Sequence, residues 1–561
     1  METYPDWPNL AAMMFARARD WPQRPVLRHW RDGTWQQMRW EAFAGAAASV
    51  ARALRARGIG AGDRVLVASE NRPEVPIAET ALMSLGAVPV PAYVTNTVAD
   101  HAHILADSGA RAAIVSTPAL AARVAEAAAQ VAGLDWLAVM EGAGGGGLDF
   151  AALAADRAAP DDIEAAAAAI PREALACLIY TSGTGGAARG VMLPHRAILS
   201  NSRGAFELLR PLNLKERVYL SFLPLSHAYE HTVGLFLLPS MGFEIAFSRG
   251  VEHLAADIMA VRPVVITVVP RVLEVIRGRI LAQMAREPGW KQALFRAALA
   301  AGLRRLDGRP RAADRLLDPL LDRLVRARVS GRFGGRLVAA VSGGARLDPE
   351  VGRFFLALGV TVLQGYGQTE AGPVVSCNPP GRVRVDTVGP PLLGVELAIA
   401  GDGEILVRGD LVMQGYWNLP EATAAALRDG WLHTGDIGAL DPDGYLRITD
   451  RKKDIIVLSG GETISPARIE GLLMAEIAIA QAVVAGDGES GLSALLVAAE
   501  GCDEVAIALA ITRANTRLAV HERIRRHRLV PAFTLENGLL TPTQKIRRTL
   551  VLQAHKGELT N

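Results

Sequence analysis

The chain has 561 residues, enough for a large core and more than one domain. Hydrophobic residues make up 50%, charged residues 21%, and the formal net charge is +2, which excludes a disordered chain and a dedicated nucleic-acid binder, so no nucleic-acid partner is expected. Three cysteines, Cys177, Cys377 and Cys502, without metal-ligand spacing, exclude a disulfide scaffold and fit a reducing compartment.

The start, Met1-Glu2-Thr3-Tyr4-Pro5-Asp6, lacks the basic and apolar regions of a signal peptide. No apolar run reaches the ~18 residues of a membrane helix, so a cytoplasmic protein is expected. From roughly residue 35 to 180, Ala-rich helical stretches alternate with short apolar strands such as Val65-Leu66-Val67-Ala68. A second, Ala87-Val88-Pro89-Val90-Pro91, carries two prolines and is at best an edge or irregular strand. The rhythm predicts an α/β fold with a parallel sheet. Residues 142–147 are a glycine-rich surface loop.

Residues 174–179 read as a buried strand that empties into Tyr180-Thr181-Ser182-Gly183-Thr184-Gly185-Gly186-Ala187-Ala188-Arg189-Gly190. Small residues admit phosphate oxygens to backbone N–H groups, hydroxyls add donors, and Arg189 adds a fixed charge. A Walker loop is excluded because Val191 stands where its Lys belongs. Gly183, Gly185 and Ala188 satisfy a dinucleotide fingerprint literally, but residues 196–209 look helical where a second strand is required. Next, Leu223-Pro224-Leu225-Ser226-His227 follows a predicted strand at 218–223, placing His227 at a strand end, where α/β ligand sites cluster.

Residues 290–329 form a helical stretch rich in arginine and leucine, whose acids are only Asp307, Asp314, Asp318 and Asp322. Two readings stay open: a solvated helix face or peripheral contact with an acidic membrane, at its inner face. Ser342-Gly343-Gly344-Ala345 and Gly365-Tyr366-Gly367-Gln368-Thr369-Glu370 each follow a β-like run. A Tyr between glycines can lay its ring on a purine, Thr369 offers a hydroxyl to phosphate, and Glu370 offers a hard oxygen to Mg²⁺. Then come Thr434-Gly435-Asp436, a turn at Asp441-Pro442-Asp443-Gly444, the charged run Asp450-Arg451-Lys452-Lys453-Asp454, Ser459-Gly460-Gly461-Glu462, and Leu540-Thr541-Pro542-Thr543-Gln544-Lys545. The last hundred or so residues suit a small second domain, giving expected boundaries of 1–450 and 451–561.

In this order and spacing, from near residue 35 to 550, the motifs resemble those of the adenylate-forming superfamily, and most of all its long-chain fatty-acid–CoA ligase subgroup. The resemblance implies a large domain of stacked α/β sheets with a small, mobile α+β C-terminal domain. It implies ATP and coenzyme A as co-substrates, Mg²⁺ as cofactor, and a medium- or long-chain fatty acid as substrate. It gives nucleotide-binding roles to Thr181, Ser182, Gly183, Thr184, Gly185, Gly186, Arg189, Gly344, Gln364, Gly365, Tyr366, Gly367, Thr369, Asp436 and Arg451. Asp436 takes the ribose and Glu370 the Mg²⁺. His227, Thr369, Glu370 and Lys545 take catalytic roles, Lys453 the hinge, and Gly460-Gly461 the coenzyme A path. Lys545 suits its role chemically, because a carboxylate attacking an α-phosphate brings two anions together.

The chain departs from the family's loop at Gly185 for Thr, Ala188 for Pro and Arg189 for Lys. It also has His231 after Glu230 where long-chain members have Arg, and Val457 and Thr463 where many have Lys and Trp. Two alternatives stay open: delivery of the acyl group to a carrier-protein thiol or other acceptor, and a catalytically inactive nucleotide-binding relative. Monomer and homodimer are equally compatible with the sequence.

Overall fold

The computed structural model describes residues 3–131, 133–142, 147–156, 158–181, 187–541 and 545–559. Its largest sheet has eight strands. In spatial order these are Val374–Cys377, Val362–Gly367, Ala339–Ser342, Val265–Val268, Val218–Ser221, Glu244–Phe247, Pro25–Arg31 and Thr34–Arg39. The six central strands run parallel, and each edge strand is antiparallel to its neighbour. The first hairpin thus joins a sheet whose other strands begin near residue 218, a long-range pairing that local pattern does not announce.

A second sheet of five parallel strands follows the expected βα rhythm: Val88–Ala92, Arg64–Ala68, Ala112–Val115, Trp136–Val139 and Leu148–Asp149. The proline-bearing strand Val88–Ala92 is its edge, where a missing ladder donor does least harm. Three more sheets matter for the site. Leu175–Thr181 pairs antiparallel with Arg189–Pro194, which pairs with Gly415–Tyr416. Trp431–Leu440 is flanked by Glu404–Arg408 and Leu446–Arg451. Beyond residue 451, Ile479–Ala485, Leu492–Ala498 and Ile524–Leu529 form a sheet of their own.

That last sheet closes on its own core, in which Ile456, Ile469, Leu473, Leu492, Leu496 and Ile507 are buried together. The β-like run before the Gly-Tyr-Gly hexad is observed as the strand Val362–Gly367, which includes the first half of the hexad. The single helical stretch predicted at 290–329 is broken into Gly289–Leu306, Ala312–Leu321, a wide-turn segment Asp322–Arg326 and Ala327–Gly331. Gly308 at φ +69° and Pro310 separate the first two.

Candidate active site

The carboxyl ends of the central strands open onto one cavity of about 2130 Å³. It is lined by Thr181, Arg189, His227, Gly344, Gln364, Gly365, Tyr366, Gly367, Thr369, Glu370, Asp436, Arg451, Lys453 and Lys545. These residues come from segments more than 350 positions apart in sequence, roughly, and the fold brings them together. Ser182, Gly183, Thr184, Gly185 and Gly186 lie outside the described residues, as do Pro542, Thr543 and Gln544. Gly460 and Gly461 do not line the cavity; they are exposed in a tight turn closed by the Gly461 N–H on the Leu458 carbonyl at 2.8 Å.

On one wall, strand Val362–Gly367 runs into the short turn Thr369–Ala371. A Cβ at Gly367 would stand 1.8 Å from the Pro373 carbonyl oxygen, so only glycine allows this close backbone crossing. Tyr366 donates its phenol hydrogen to Asp436 Oδ2 at 2.6 Å. Burial, then the Asp436 charge, push that phenol well above its ordinary range, so it remains a donor. Arg451, which faces Asp436 across the antiparallel pair, meets Oδ1 through Nε at 3.0 Å. Asp436 is 4% exposed. With one such partner on each oxygen, it keeps lone pairs for a further hydroxyl donor.

Glu370 Oε1 accepts from the Tyr416 hydroxyl at 2.9 Å. The Arg189 guanidinium lies 5.5 Å from the centre of the same ring. Tyr416 therefore ties the candidate metal carboxylate to the candidate phosphate cation. It escaped the sequence reading, although Gly415-Tyr416-Trp417-Asn418 is an aromatic cluster in a chain with only 5% aromatics. Glu370 suits Mg²⁺, which is commonly held by one or two carboxylates together with substrate phosphates and water. Among the described residues there is no cluster of three or more candidate metal ligands.

The Lys545 backbone is fixed by two bonds to Thr541: its N–H reaches Thr541 Oγ1 at 3.0 Å and its carbonyl accepts from the Thr541 N–H at 2.8 Å. Lys545 lines the cavity and remains accessible to solvent. Crowding by the cavity walls, then the Arg451 cation, bring its amine down to about 8, while Asp436 opposes the shift. Below that pH it is a cation. Lys453 is lowered in the same direction, by burial and then by Arg451.

His227 caps the helix Ala228–Thr232, its Nδ1 accepting from the Tyr229 N–H at 3.2 Å. That bond leaves Nε2 as the protonated nitrogen of the neutral ring. Burial, then the Lys545 charge, lower its pKa to about 4, so the ring is neutral near pH 7. The neighbouring Glu230 and His231 are both fully buried. Glu230 accepts from the hydroxyls of Tyr219, Ser221 and Thr267. His231 Nε2 meets Glu79 Oε2 at 2.8 Å. The departure at His231 is thus met by a buried carboxylate far away in sequence, and both residues anchor the helix that begins at His227.

The hairpin of Leu175–Thr181 and Arg189–Pro194 is bonded to one helix, Val98–Ser108. Tyr180 donates to the Asp107 carboxylate at 2.6 Å. His103 Nε2 donates to the Ala188 carbonyl at 2.8 Å. The Asp107 carbonyl accepts from Trp417 Nε1 and Asn418 Nδ2, both at 2.9 Å. Trp417 N–H in turn reaches the Gly190 carbonyl at 2.8 Å. The hairpin is therefore clamped on both of its strands. His103 and Asp107 carry no local motif by which sequence could have marked them.

Residues 14–417 match the family model described as AMP-binding enzyme, and residues 453–561 match that of the AMP-binding enzyme C-terminal domain. The chain belongs to the AMP-binding enzyme family. Long-chain-fatty-acid–CoA ligase FadD15 of Mycobacterium tuberculosis is 33% identical to this AMP-binding enzyme over 589 aligned residues, covering 98% of this chain and 96% of the relative. Human long-chain-fatty-acid–CoA ligase 1 is 32% identical, over 67% of this chain and 59% of its own. Among solved structures, ATP-bound MatB from Rhodopseudomonas palustris superposes with a TM-score of 0.77 at 23% identity, covering 99% of this chain and 100% of that one. The o-succinylbenzoate coenzyme A synthetase MenE from Bacillus subtilis, solved with ATP and magnesium ion, gives 0.72 at 21% identity, covering 98% and 99%. These likenesses establish the adenylate-forming fold: stacked α/β sheets followed by a separate C-terminal unit. Among the described residues, no helix is long and apolar enough to cross a membrane.

Proposed function

We propose that this chain activates a medium- or long-chain fatty acid with ATP and transfers it to coenzyme A. The observation that carries this reading is the single cavity in which Lys545, Asp436, Tyr366, Glu370, His227 and Arg189 meet. The cavity lining also includes apolar side chains, among them Ala205, Leu208, Leu209, Val233, Leu237 and Leu238. An aliphatic tail suits such a lining. The naming of relatives as fatty-acid–CoA ligases supports the same substrate class.

A carboxylate is a poor electrophile, so the acid must first gain a leaving group. Its oxygen attacks the α-phosphorus of ATP, the α–β anhydride bond breaks, and pyrophosphate leaves. The acyl-AMP then meets the thiolate sulfur of coenzyme A. A carbon–sulfur bond forms, AMP departs, and the thiol proton is lost to solvent. In the first step Lys545 offsets the charge where the two anions approach. His227, neutral and with Nε2–H free, donates toward the acyl carboxylate. Asp436 holds the ribose hydroxyls, and Tyr366 stacks on the purine. Arg189 holds the outer phosphates. Glu370 would hold Mg²⁺, which when bound neutralises phosphate charge.

Residues 451–561 act as a mobile domain hinged at Lys453. The observed arrangement, with Lys545 inside the cavity and Gly460-Gly461 outside it, suits the first step. A second pose would bring Gly460-Gly461 to the thiol path. The test is exchange of labelled pyrophosphate into ATP across acids of increasing chain length, followed by thioester formation with free coenzyme A against a carrier protein. Exchange with long acids and thioester with coenzyme A are expected. Exchange with no acid would reduce the chain to a nucleotide-binding relative.

A further inference from the structure

The helix Ala312–Leu321 is built inside out. At about 100° per residue, Asp314, Asp318 and Leu321 share one side, while Leu316, Leu317 and Leu320 share the other. The acids face the protein. Asp314 is 9% exposed and paired with Arg304, and Asp318 pairs with Arg305 and Arg326. Asp322, just beyond, also pairs with Arg326. The leucines face solvent: Leu316 is 83% exposed, Leu317 45% and Leu320 48%. A surface helix ordinarily does the reverse.

The ion pairs leave a surplus of positive charge. Asp314, Asp318 and Asp322 are paired with Arg304, Arg305 and Arg326. Arg309, Arg315 and Arg323 are exposed and make no ion pair among the described residues. Arg309 precedes the helix, Arg315 lies on its exposed flank between the acid and leucine sides, and Arg323 follows it. The result is an apolar centre with a cationic rim. That pattern matches the two attractions of an interfacial helix: apolar side chains at the acyl boundary and arginines on lipid phosphates. An acidic protein partner would engage the arginines but would leave the strongly exposed leucines without a stated apolar complement.

We propose that this helix docks the enzyme on an anionic lipid bilayer. The docking rests on the face alone; its use rests on the fatty-acid reading above, because a long-chain acid partitions into bilayers and would reach the cavity from there.

The experiment is co-sedimentation of the full chain with phosphatidylglycerol-rich vesicles and with pure phosphatidylcholine vesicles, at low and high salt. Two triple variants accompany it, L316Q/L317Q/L320Q and R309Q/R315Q/R323Q, all at exposed positions. The wild type is expected to bind anionic vesicles at least roughly ten-fold more tightly than neutral ones. Each triple variant should lose roughly ten-fold or more on anionic vesicles, the arginine loss shrinking at high salt. Pyrophosphate exchange with an acid presented on cyclodextrin, without vesicles, should be unchanged in both variants. A wild type that ignores anionic vesicles, or variants that bind them as the wild type does, would overturn the proposal. So would a leucine variant that converts a dimer to a monomer while vesicle binding is absent, since the face would then belong to a second copy. Vesicle binding without exchange on any acid supports the docking while removing the acyl-activation reading.

Discussion

Arg189 stands where the family's loop has Lys, and the two side chains solve the same problem differently. A guanidinium is a planar fork of donors, whereas an ammonium is a compact point charge. Here the fork lies near the Tyr416 ring, whose hydroxyl holds Glu370. Losing one charge-assisted contact costs about 1.5–3 kcal/mol. Arg189→Ala should therefore raise the KM for ATP by roughly ten- to a hundred-fold, while Arg189→Lys stays close to wild type; steady-state kinetics at saturating acid reads both. An alanine variant with unchanged ATP kinetics would remove Arg189 from the phosphate site. Glu230 makes a second residue-scale case. Burial raises its carboxyl from 4.5 to about 7, against three hydroxyl donors that lower it. In the unfolded chain it stays in the ordinary carboxylate range, so folding favours the protonated form. That contribution is fully present below the unfolded value and is lost as pH rises through about 7. Denaturant unfolding at about pH 5 and about pH 8 should show the wild type losing stability over this range, with Glu230→Gln flattening the fall. Equal slopes in both proteins would contradict the assignment.

The hairpin formed by Leu175–Thr181 and Arg189–Pro194 shows what an element needs beyond its own motif. Its exit lacks the family's proline, and Ala188 leaves the backbone freer there. The His103 bond to the Ala188 carbonyl restrains that exit from a neighbouring helix. His103→Leu should raise the KM for ATP roughly five- to ten-fold with little change in Tm, and His103→Gln, which keeps an N–H donor, should recover part of it. Unchanged KM in the leucine variant would mean that the clamp does not act on phosphate. The same element marks where sequence stops being legible. The residues proposed for phosphate, purine, metal and ribose sit in short contiguous motifs, so Thr181, Tyr366, Glu370 and Asp436 could be read from local sequence. The parallel sheet Arg64–Ala68 to Leu148–Asp149 could be read from its βα rhythm. Tyr416 under Glu370, His103 under Ala188 and Glu79 under His231 could not. Each pairs residues at least forty or so positions apart, with no pattern of its own. The pairing of Pro25–Arg31 with Glu244–Phe247 was hidden for the same reason.

At the scale of the whole molecule, two separately cored units share one cavity. Lys545, from the smaller one, stands among Arg451, Asp436 and His227 of the cavity walls, close enough to shift and be shifted by their charges. Gly460 and Gly461, on the same small unit, face solvent. In the proposed mechanism the small unit turns between the two steps, bringing first Lys545 and then Gly460-Gly461 to the reacting atoms. The direct measurement is Lys545→Ala assayed in each half-reaction separately: acyl-AMP formation from fatty acid and ATP, and thioester formation from pre-made acyl-AMP and coenzyme A. Adenylation is expected to fall by roughly 10²–10³, the scale of one lost preorganised electrostatic contact, while thioester formation stays near the wild-type rate. An equal loss in both half-reactions, or none in adenylation, would contradict a cavity in which Lys545 serves acyl activation and withdraws before the thiol arrives.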